Sequence, residues 1–297
     1  MGKQLTLGAL LVSLFLLVGC ASRGGTSTFQ AKSPDTLCVM TFNLKYASDT
    51  PPNAWPQRRP VVQETIRSVK PDLIGTQEGV YQQLKDMAAD LPEYQWLGLG
   101  RDGGSHGEFM AIFYRKDRLE PLEYDHFWLS DTPDVVASAT WGNTCRRMVT
   151  WIRFRDRRTG QQFYHLNTHL DHQVQAAREK GASLILQRIE KLNPKLPLIL
   201  TGDFNAPQKT NKAYQILAEG GLTDTWFAAK TQVGQPIATF HDWQGPNVED
   251  KTHIDWIFTR GPVSADGTQV ITYSHNGQYP SDHFPVTTWL RLQPAQP

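Results

Sequence analysis

Cysteine is scarce: three residues in 297. Cys20, Cys38 and Cys145 form no C-x-x-C pair, so neither a zinc ribbon nor a disulfide framework can be read, and H-E-x-x-H is missing as well. Charge of one sign is also in short supply. Lys and Arg number 30 against 29 acids, a net +1, and without residues 1–19 the chain is near neutral. The basic footprint of a dedicated non-specific nucleic-acid binder is therefore absent. The longest apolar run, Leu5 to Val18, is shorter than the roughly 20 residues that span a bilayer. Past Leu37 there is no repeat, no low-complexity tract and no second linker. The whole chain is 39% hydrophobic and 20% charged, the composition of a globular protein with a sizeable core.

Lys3 and the apolar run after it read as an export signal. The run ends in Leu17-Val18-Gly19-Cys20, which resembles the lipobox of bacterial lipoproteins. That resemblance implies a signal peptide over 1–19, cleavage before Cys20 and a lipid on its thiol and amino group. Ala21, which is not Asp, favours sorting to the outer membrane. Residues 20–36 then form the lipidated Cys and a flexible tether, small, polar and Pro/Gly-bearing. The expected domain is 37–297, touching the membrane through the anchor at Cys20; no protein partner is inferred.

Within the domain, strand-like runs rich in β-branched and aromatic residues alternate with helical ones. Strands are predicted at 37–44, 72–77, 108–115, 148–155, 162–169, 196–202, 254–260 and 284–292. Helices are predicted at 55–69, 80–91, 173–192 and 209–219, the third with Val174, Ala177, Leu184, Ile185 and Ile189 on one stripe. Sheets with helices outside them suggest a layered α/β or α+β sandwich.

Two motif matches are decoys. Gly98-Leu99-Gly100-Arg101-Asp102-Gly103 fits G-x-G-x-x-G, and Gly103-Gly104-Ser105-His106-Gly107 fits G-x-S-x-G. Both motifs require a helix to follow, and here a strand follows. The segment reads as a glycine-rich β-connection.

The informative pattern is that most strands end in an acid, an amide or an imidazole. TFNL ends at Asn43 and DLIGTQE at Glu78. NTHLD carries His169 and Asp171, and LILTGDFN carries Asp203 and Asn205. HIDWIF opens with His253 and Asp255, and SDHFPV opens with Asp282 and His283. One such end is ordinary turn chemistry; six, one of them a Glu, call for another reason. Carboxylates and amides without a Cys set favour a hard divalent cation, Mg²⁺ or Mn²⁺, over zinc. Such an ion suits phosphoryl transfer, which needs mainly positioning and charge stabilisation.

TFNL, QE, NTHLDH, GDFN, HIDWIF and SDHFP, in this order, resemble the endonuclease/exonuclease/phosphatase (DNase I-like) superfamily over Val39 to Leu292. The look is nearest the deadenylase/nocturnin-like branch and secreted bacterial members. The resemblance implies a four-layer sandwich, two packed and mainly antiparallel β-sheets flanked by helices. It implies a metal-dependent phosphoric ester hydrolase, a phosphodiesterase or phosphomonoesterase, with a nucleic acid, nucleotide, or sugar or lipid phosphate as substrate. Glu78, Asn43 and Asp282 would be the metal set. Asp203 would orient and deprotonate water. His283, oriented by Asp255, would contact the phosphate or move a proton. His169 would donate to a phosphate oxygen, and Asn205 and Arg147 would bind phosphate. Asp171 reads as loop support, and His172 and His253 are left without a role. Arg147 could equally form a solvated basic pair with Arg146, and Trp141 is core or a substrate platform. The alternative class is a non-catalytic phosphate-ligand-binding lipoprotein on the same fold. Loss of Glu78 or Asp203 would mark it, and both are present.

The same reading places the two remaining cysteines apart. Cys38 lies five residues before Asn43 on one strand, roughly 16 Å from the site at about 3.3 Å per residue. Cys145 lies beside Arg147. A disulfide needs Cα atoms within about 7 Å, so two free thiols are predicted.

Overall fold

The computed structural model describes residues 1–2, 29 and 33–293; the expected leader and Cys20 fall almost wholly outside them. In chain order the elements are β1 (Leu37–Asn43), α1 (Trp55–Val69), β2 (Leu73–Gln77), β3 (Gly79–Val80), α2 (Tyr81–Asp90), β4 (Tyr94–Leu97), β5 (Glu108–Phe109), β6 (Ile112–Arg115), β7 (Leu119–Trp128) and β8 (Met148–Asp156). There follow β9 (Gln162–His169), α3 (Gln175–Ile189), β10 (Leu198–Asp203), α4 (Lys212–Glu219), β11 (Thr223–Asp224), α5 (Thr225–Ala228), β12 (Gln232–Val233), β13 (Asp255–Arg260), β14 (Val263–Val270) and β15 (Val286–Leu292).

One sheet runs β12-β14-β15-β1-β2-β6-β4 and the other β11-β13-β10-β9-β8-β7, with β3 and β5 as a small separate ribbon. The pairs β1–β2, β9–β10 and β12–β14 are parallel and the remaining pairings antiparallel. Helices α1 and α2 cover the first sheet through Val62, Ile66, Leu84 and Met87 against Met40 and Phe42. Helices α3 and α4 cover the second through Ile185 and Leu217 against Leu166, Leu200 and Phe258. Between the sheets lie Leu37, Val39, Leu73, Phe163, Ile199 and Ile257. This is the four-layer, mainly antiparallel sandwich that the sequence predicts. Among the described residues no helix is long and apolar enough to cross a membrane.

The predicted helices recur within a few residues, and the eight predicted strands recur with 108–115 split in two. The sequence reading missed β7 and β14, along with the short β3, β4, β11, β12 and α5. The first reads LEPLEYDHFW, with Pro121 and four charges or imidazoles at the sheet edge; the second contains Asp266-Gly267, a turn pair, at a register shift.

What positions the site is the two-residue period of strands. On β1 the side chains facing the other sheet are Leu37, Val39, Thr41 and Asn43. The same face shows Leu73, Gly75 and Gln77 on β2, Phe163, His165, Asn167 and His169 on β9, and Ile199, Thr201 and Asp203 on β10. Each row starts apolar, turns neutral-polar in the middle and ends polar or charged. The register aligns these ends: Asn43 opposite Gln77, and Asp203 opposite both His169 and Asp255.

The middle of these rows carries a buried hydrogen-bond network centred on Asn167. Asn167 donates to the carbonyls of Thr76 (2.8 Å) and Ala111 (3.0 Å) across the sandwich, and its oxygen accepts from Gln77 Nε2 (2.7 Å) and Thr201 Oγ1 (3.0 Å). All four capacities of a buried amide are used, which fixes one sheet against the other. Gly75 makes the close approach possible, because a Cβ there would collide with Thr201 Oγ1 and come within 2.6 Å of Asn167 Oδ1.

At the opposite end of the strands sits a buried ion cluster. Arg118 donates to Asp156 Oδ2 from Nε (3.2 Å) and Nη2 (2.9 Å), to Asp72 Oδ2 (2.7 Å) and Thr36 O (2.9 Å) from Nη1, and to Asp35 O (3.0 Å) from Nη2. Every N–H of the guanidinium has a partner.

Candidate active site

The polar row ends meet in a cavity of about 340 Å³. Asn43 is its keystone: Nδ2 donates to Glu78 Oε1 (3.0 Å) and Asp203 Oδ2 (2.8 Å), and Oδ1 accepts from Lys45 N (2.9 Å). Glu78 follows the last residue of β2 and holds a left-handed backbone, φ 61°; Asn205 does the same at φ 48°. A left-handed Glu is strained, and such strain persists only where the surroundings over-determine it. Here Tyr46 N–H and the Asn43 amide hold the Glu78 carboxylate, and Asp203 Oδ1 accepts from Asn205 N.

Asp203 is buried beside two histidines. His283 Nε2 lies 3.9 Å from its Oδ2, and His283 Nδ1 lies 3.0 Å from Asp255 Oδ2 behind it. Burial, then the like charge of Asp255, pushes the Asp203 carboxyl up to about 7, against the pull of His283 and of the Asn205 and Asn43 donors. Burial by itself would lower His283, but Asp255 and Asp203 together raise it to about 10. The imidazolium is thus held between two carboxylates, while Asp203 titrates near neutrality, where a general base is most useful.

His169 differs. Asn205 Nδ2 donates to Leu170 O (3.1 Å), which orients the amide, and the same nitrogen lies 2.8 Å from His169 Nε2. The ring nitrogen facing Asp203 therefore accepts, and burial followed by the Arg147 and Arg101 charges drives this histidine well below its ordinary range. The neutral ring does not offer the donor toward the site that the sequence reading expected. It offers a lone pair.

Arg147 is 4% exposed, and among the described residues neither Nε nor Nη1 has a partner; Nη2 has His172 Nδ1 at 3.1 Å. The solvated basic pair is not formed, since Arg146 turns outward to Ala137 O and Asp102. Trp141 sits away from the cavity, half-buried, donating to Asp131. Asp171 accepts from Gln173 and Val174 N–H at the start of α3, a loop support. His253 packs against Trp226, outside the cavity lining.

Two members of the expected metal set have partners within the protein. Asp282 Oδ2 is paired with Lys45 Nζ at 3.0 Å, and the Asn43 oxygen is occupied by Lys45 N–H. Ligand atoms instead gather within 4.8 Å of one another in two groups, Glu78–His169–Asp203 and Asp203–Asp255–His283. In the first, His169 Nε2 is engaged by the Asn205 amide, so the two carboxylates are the donors left for an ion, and paired carboxylates fit a hard divalent cation. The second is occupied by the His283 proton.

Several residues of this site carried no signal in the sequence. Arg58, on α1, is fully buried and donates to Leu44 O, Lys45 O, Tyr46 O, Asn53 O and Pro280 O, tying the segment after Asn43 to the one before Asp282. Phe240 covers His283 at 5.0 Å between ring centroids. Arg101 and Glu108 reach the cavity from the glycine-rich connection.

A sandwich whose parallel and antiparallel strand ends converge on buried carboxylates, an imidazolium and an unpaired guanidinium is that of a metal-assisted phosphoester hydrolase. The chain belongs to the endonuclease/exonuclease/phosphatase family, whose sequence pattern matches residues 40–283. An endonuclease/exonuclease/phosphatase from Bacteroides vulgatus is 34% identical, with TM-score 0.82 over 87% of this chain and 99% of that one. The mannosyl-6-phosphatase of Bacteroides thetaiotaomicron is also 34% identical, with TM-score 0.80 over 86% and 100%. The human Nocturnin catalytic domain shares the fold at 19% identity, TM-score 0.66 over 87% and 95%. An uncharacterized protein of Acanthamoeba polyphaga mimivirus is 30% identical over 164 residues, 52% of this chain and 60% of that protein, so less than two thirds of that relative's length is matched.

Proposed function

We propose that this protein hydrolyses a phosphomonoester of a small hydroxylated molecule, a sugar phosphate, by direct attack of water on phosphorus with Mg²⁺ or Mn²⁺ bound. The observation that carries the reading is the orphaned Arg147 guanidinium, which lines the same cavity as Asp203 and His283. Unpaired buried N–H groups cost stability unless an acceptor arrives, and a phosphate oxygen is the acceptor such a fork fits best. The cavity, about 340 Å³, lies at the small end of ligand pockets, roughly 300–1,000 Å³, with room for a phosphate and one ring. The near-neutral chain and the 34% identity to a mannosyl-6-phosphatase point the same way.

In this reading Asp203 takes the proton of the attacking water and Arg147 holds the phosphate, while the Asn205 amide, its two N–H groups spent on Leu170 O and His169 Nε2, holds that ring in place. His283, kept protonated and oriented by Asp255, stabilises the charge that develops on the phosphoryl oxygens. Glu78 and Asp203 would hold the cation, which supplies charge neutralisation at the phosphate. We also propose that the lipid at Cys20 holds the enzyme in the cell envelope, probed by loss of lipid labelling in Cys20→Ser.

The test is a panel of mannose 6-phosphate, nucleotides, an oligonucleotide, sphingomyelin and phosphoinositides with Mg²⁺ or Mn²⁺. Hexose phosphate should be cleaved, chelator should stop it, and one turnover in ¹⁸O-water should label the phosphate. Preferential cleavage of the oligonucleotide, or full turnover in excess EDTA, defeats the reading. Metal-dependent ligand binding without turnover would establish the non-catalytic alternative.

A further inference from the structure

The glycine-rich connection that mimics two nucleotide and hydrolase motifs is a hairpin leaning over the cavity. Gly100 pairs with Phe109, Arg101 N donates to Glu108 O (2.9 Å), and Gly103, Gly104 and Gly107 take positive φ of 92°, 57° and 74° around the reversal. Its strand β5 pairs with β3, Val80 opposite Glu108, so Glu108 hangs from the ribbon that begins directly after Glu78. The hairpin is clamped from behind: Trp128 Nε1 donates to Arg101 O (2.8 Å), and Arg146 Nη1 reaches Asp102 Oδ1 (3.0 Å).

Held this way, Arg101 Nη1 and Glu108 Oε2 form an ion pair of 2.7 Å whose side chains are 15% and 17% exposed, both lining the cavity. Among the described residues, the side-chain hydrogen bond of this pair is the one between Arg101 Nη1 and Glu108 Oε2, which leaves Arg101 Nε and Nη2 and Glu108 Oε1 for a ligand. A phosphate pocket gains nothing from another carboxylate. Glu78, Asp203 and Asp282 already line it, and Glu108 repels an anion. Glu108 instead suits an uncharged group that donates, while the free Arg101 N–H groups beside it suit one that accepts. A hydroxyl does both, and an acceptor next to a donor matches two neighbouring hydroxyls on one ring.

We propose that Arg101 and Glu108 are the specificity-determining residues of this site, reading the hydroxyl groups of the leaving alcohol while Arg147 holds the phosphate. The assignment rests on the phosphomonoesterase reading above and names what selects its substrate.

The experiment compares kcat/KM for mannose 6-phosphate with that for p-nitrophenyl phosphate, which has no hydroxyl on its leaving group, in wild type and Glu108→Gln. Both substrates are read on one preparation, so the ratio does not depend on the fraction that folds. Removing a charged acceptor should lower the ratio by about 10–100-fold, with the change mainly in KM. Arg101→Gln should move it in the same direction. In a monodeoxy series of hexose 6-phosphates, at least one missing hydroxyl should cost the wild type about tenfold and the Glu108→Gln variant markedly less. An unchanged ratio, with wild-type activity present, overturns the assignment and leaves the phosphatase reading standing. A wild type inert toward every phosphomonoester overturns that reading, and the assignment with it.

Discussion

Two buried arginines, at opposite ends of the same sandwich, behave differently. Arg118 spends all five N–H groups on Asp72, Asp156 and two carbonyls; Arg147, equally enclosed, leaves Nε and Nη1 with nothing. A buried charge is tolerated when it is paired and hydrogen-bonded, and is a liability when it is not. The first arrangement is complete in itself and reads as architecture. The second is incomplete, like Asp203 with its raised carboxyl, and an incomplete buried cluster marks where a ligand finishes the structure.

The contrast can be broken by substitution. Asp203→Asn keeps the shape and removes the base, so turnover should fall about 10²–10⁴-fold; near-normal activity would remove Asp203 from the chemistry. Adding His283→Ala should cost less than the product of the two single losses, because groups acting as a unit are not additive. Arg118→Met strands two buried carboxylates and should destabilise by about 3–5 kcal/mol in urea unfolding. Arg147→Met should leave folding within about 1 kcal/mol of wild type, since little is paired there, and raise KM for the phosphate ester about 10–100-fold. If the two arginines lost stability equally, the distinction between them would collapse.

A subtler test uses pH. His283 titrates at about 10 in the folded chain and at about 6.5 unfolded. A raised pKa means the folded state holds the proton more tightly. Its contribution is therefore full below about 6.5 and is lost as pH climbs through about 10. Urea midpoints of wild type and His283→Asn, measured in EDTA, should converge over that window. A gap constant with pH would show that His283 is not held as the imidazolium. Least demanding is thiol titration: Cys38 and Cys145 are free, one buried at the Arg118 end and the other at the cavity, so unfolding without reductant should expose both.

Much of this was legible in the sequence because strand ends announce themselves. Asn43, Glu78, His169, Asp203, Asp255 and His283 each lie at or beside an end of an apolar run; the two-residue period puts Asn43, His169, Asp203 and Asp255 on one face, while Glu78 and His283 sit just outside their strands. Arg58 could not be read, since an arginine in a helix ordinarily faces water, and only the packed fold shows five carbonyls converging on it. Lys45 was invisible as the partner of Asp282, the two being joined across the first sheet's loops. The inward donor expected of His169 failed because Asn205, two residues past Asp203, already gives it a hydrogen bond, a detail of amide orientation that no spacing encodes. Edge strand β7 escaped because an edge tolerates prolines and charges that a central strand does not, and β14 because Asp266-Gly267 at its register shift reads as a turn.

The first and last long strands of the sandwich are neighbours, Leu37 opposite Leu290, at the end where Arg118 lies and away from the cavity. Whatever is joined to the domain through either strand is attached at its back. A bead, a fluorophore, a fusion partner or a lipid leash placed there leaves the mouth of the cavity facing the solution, so immobilised protein should keep the substrate access of free protein.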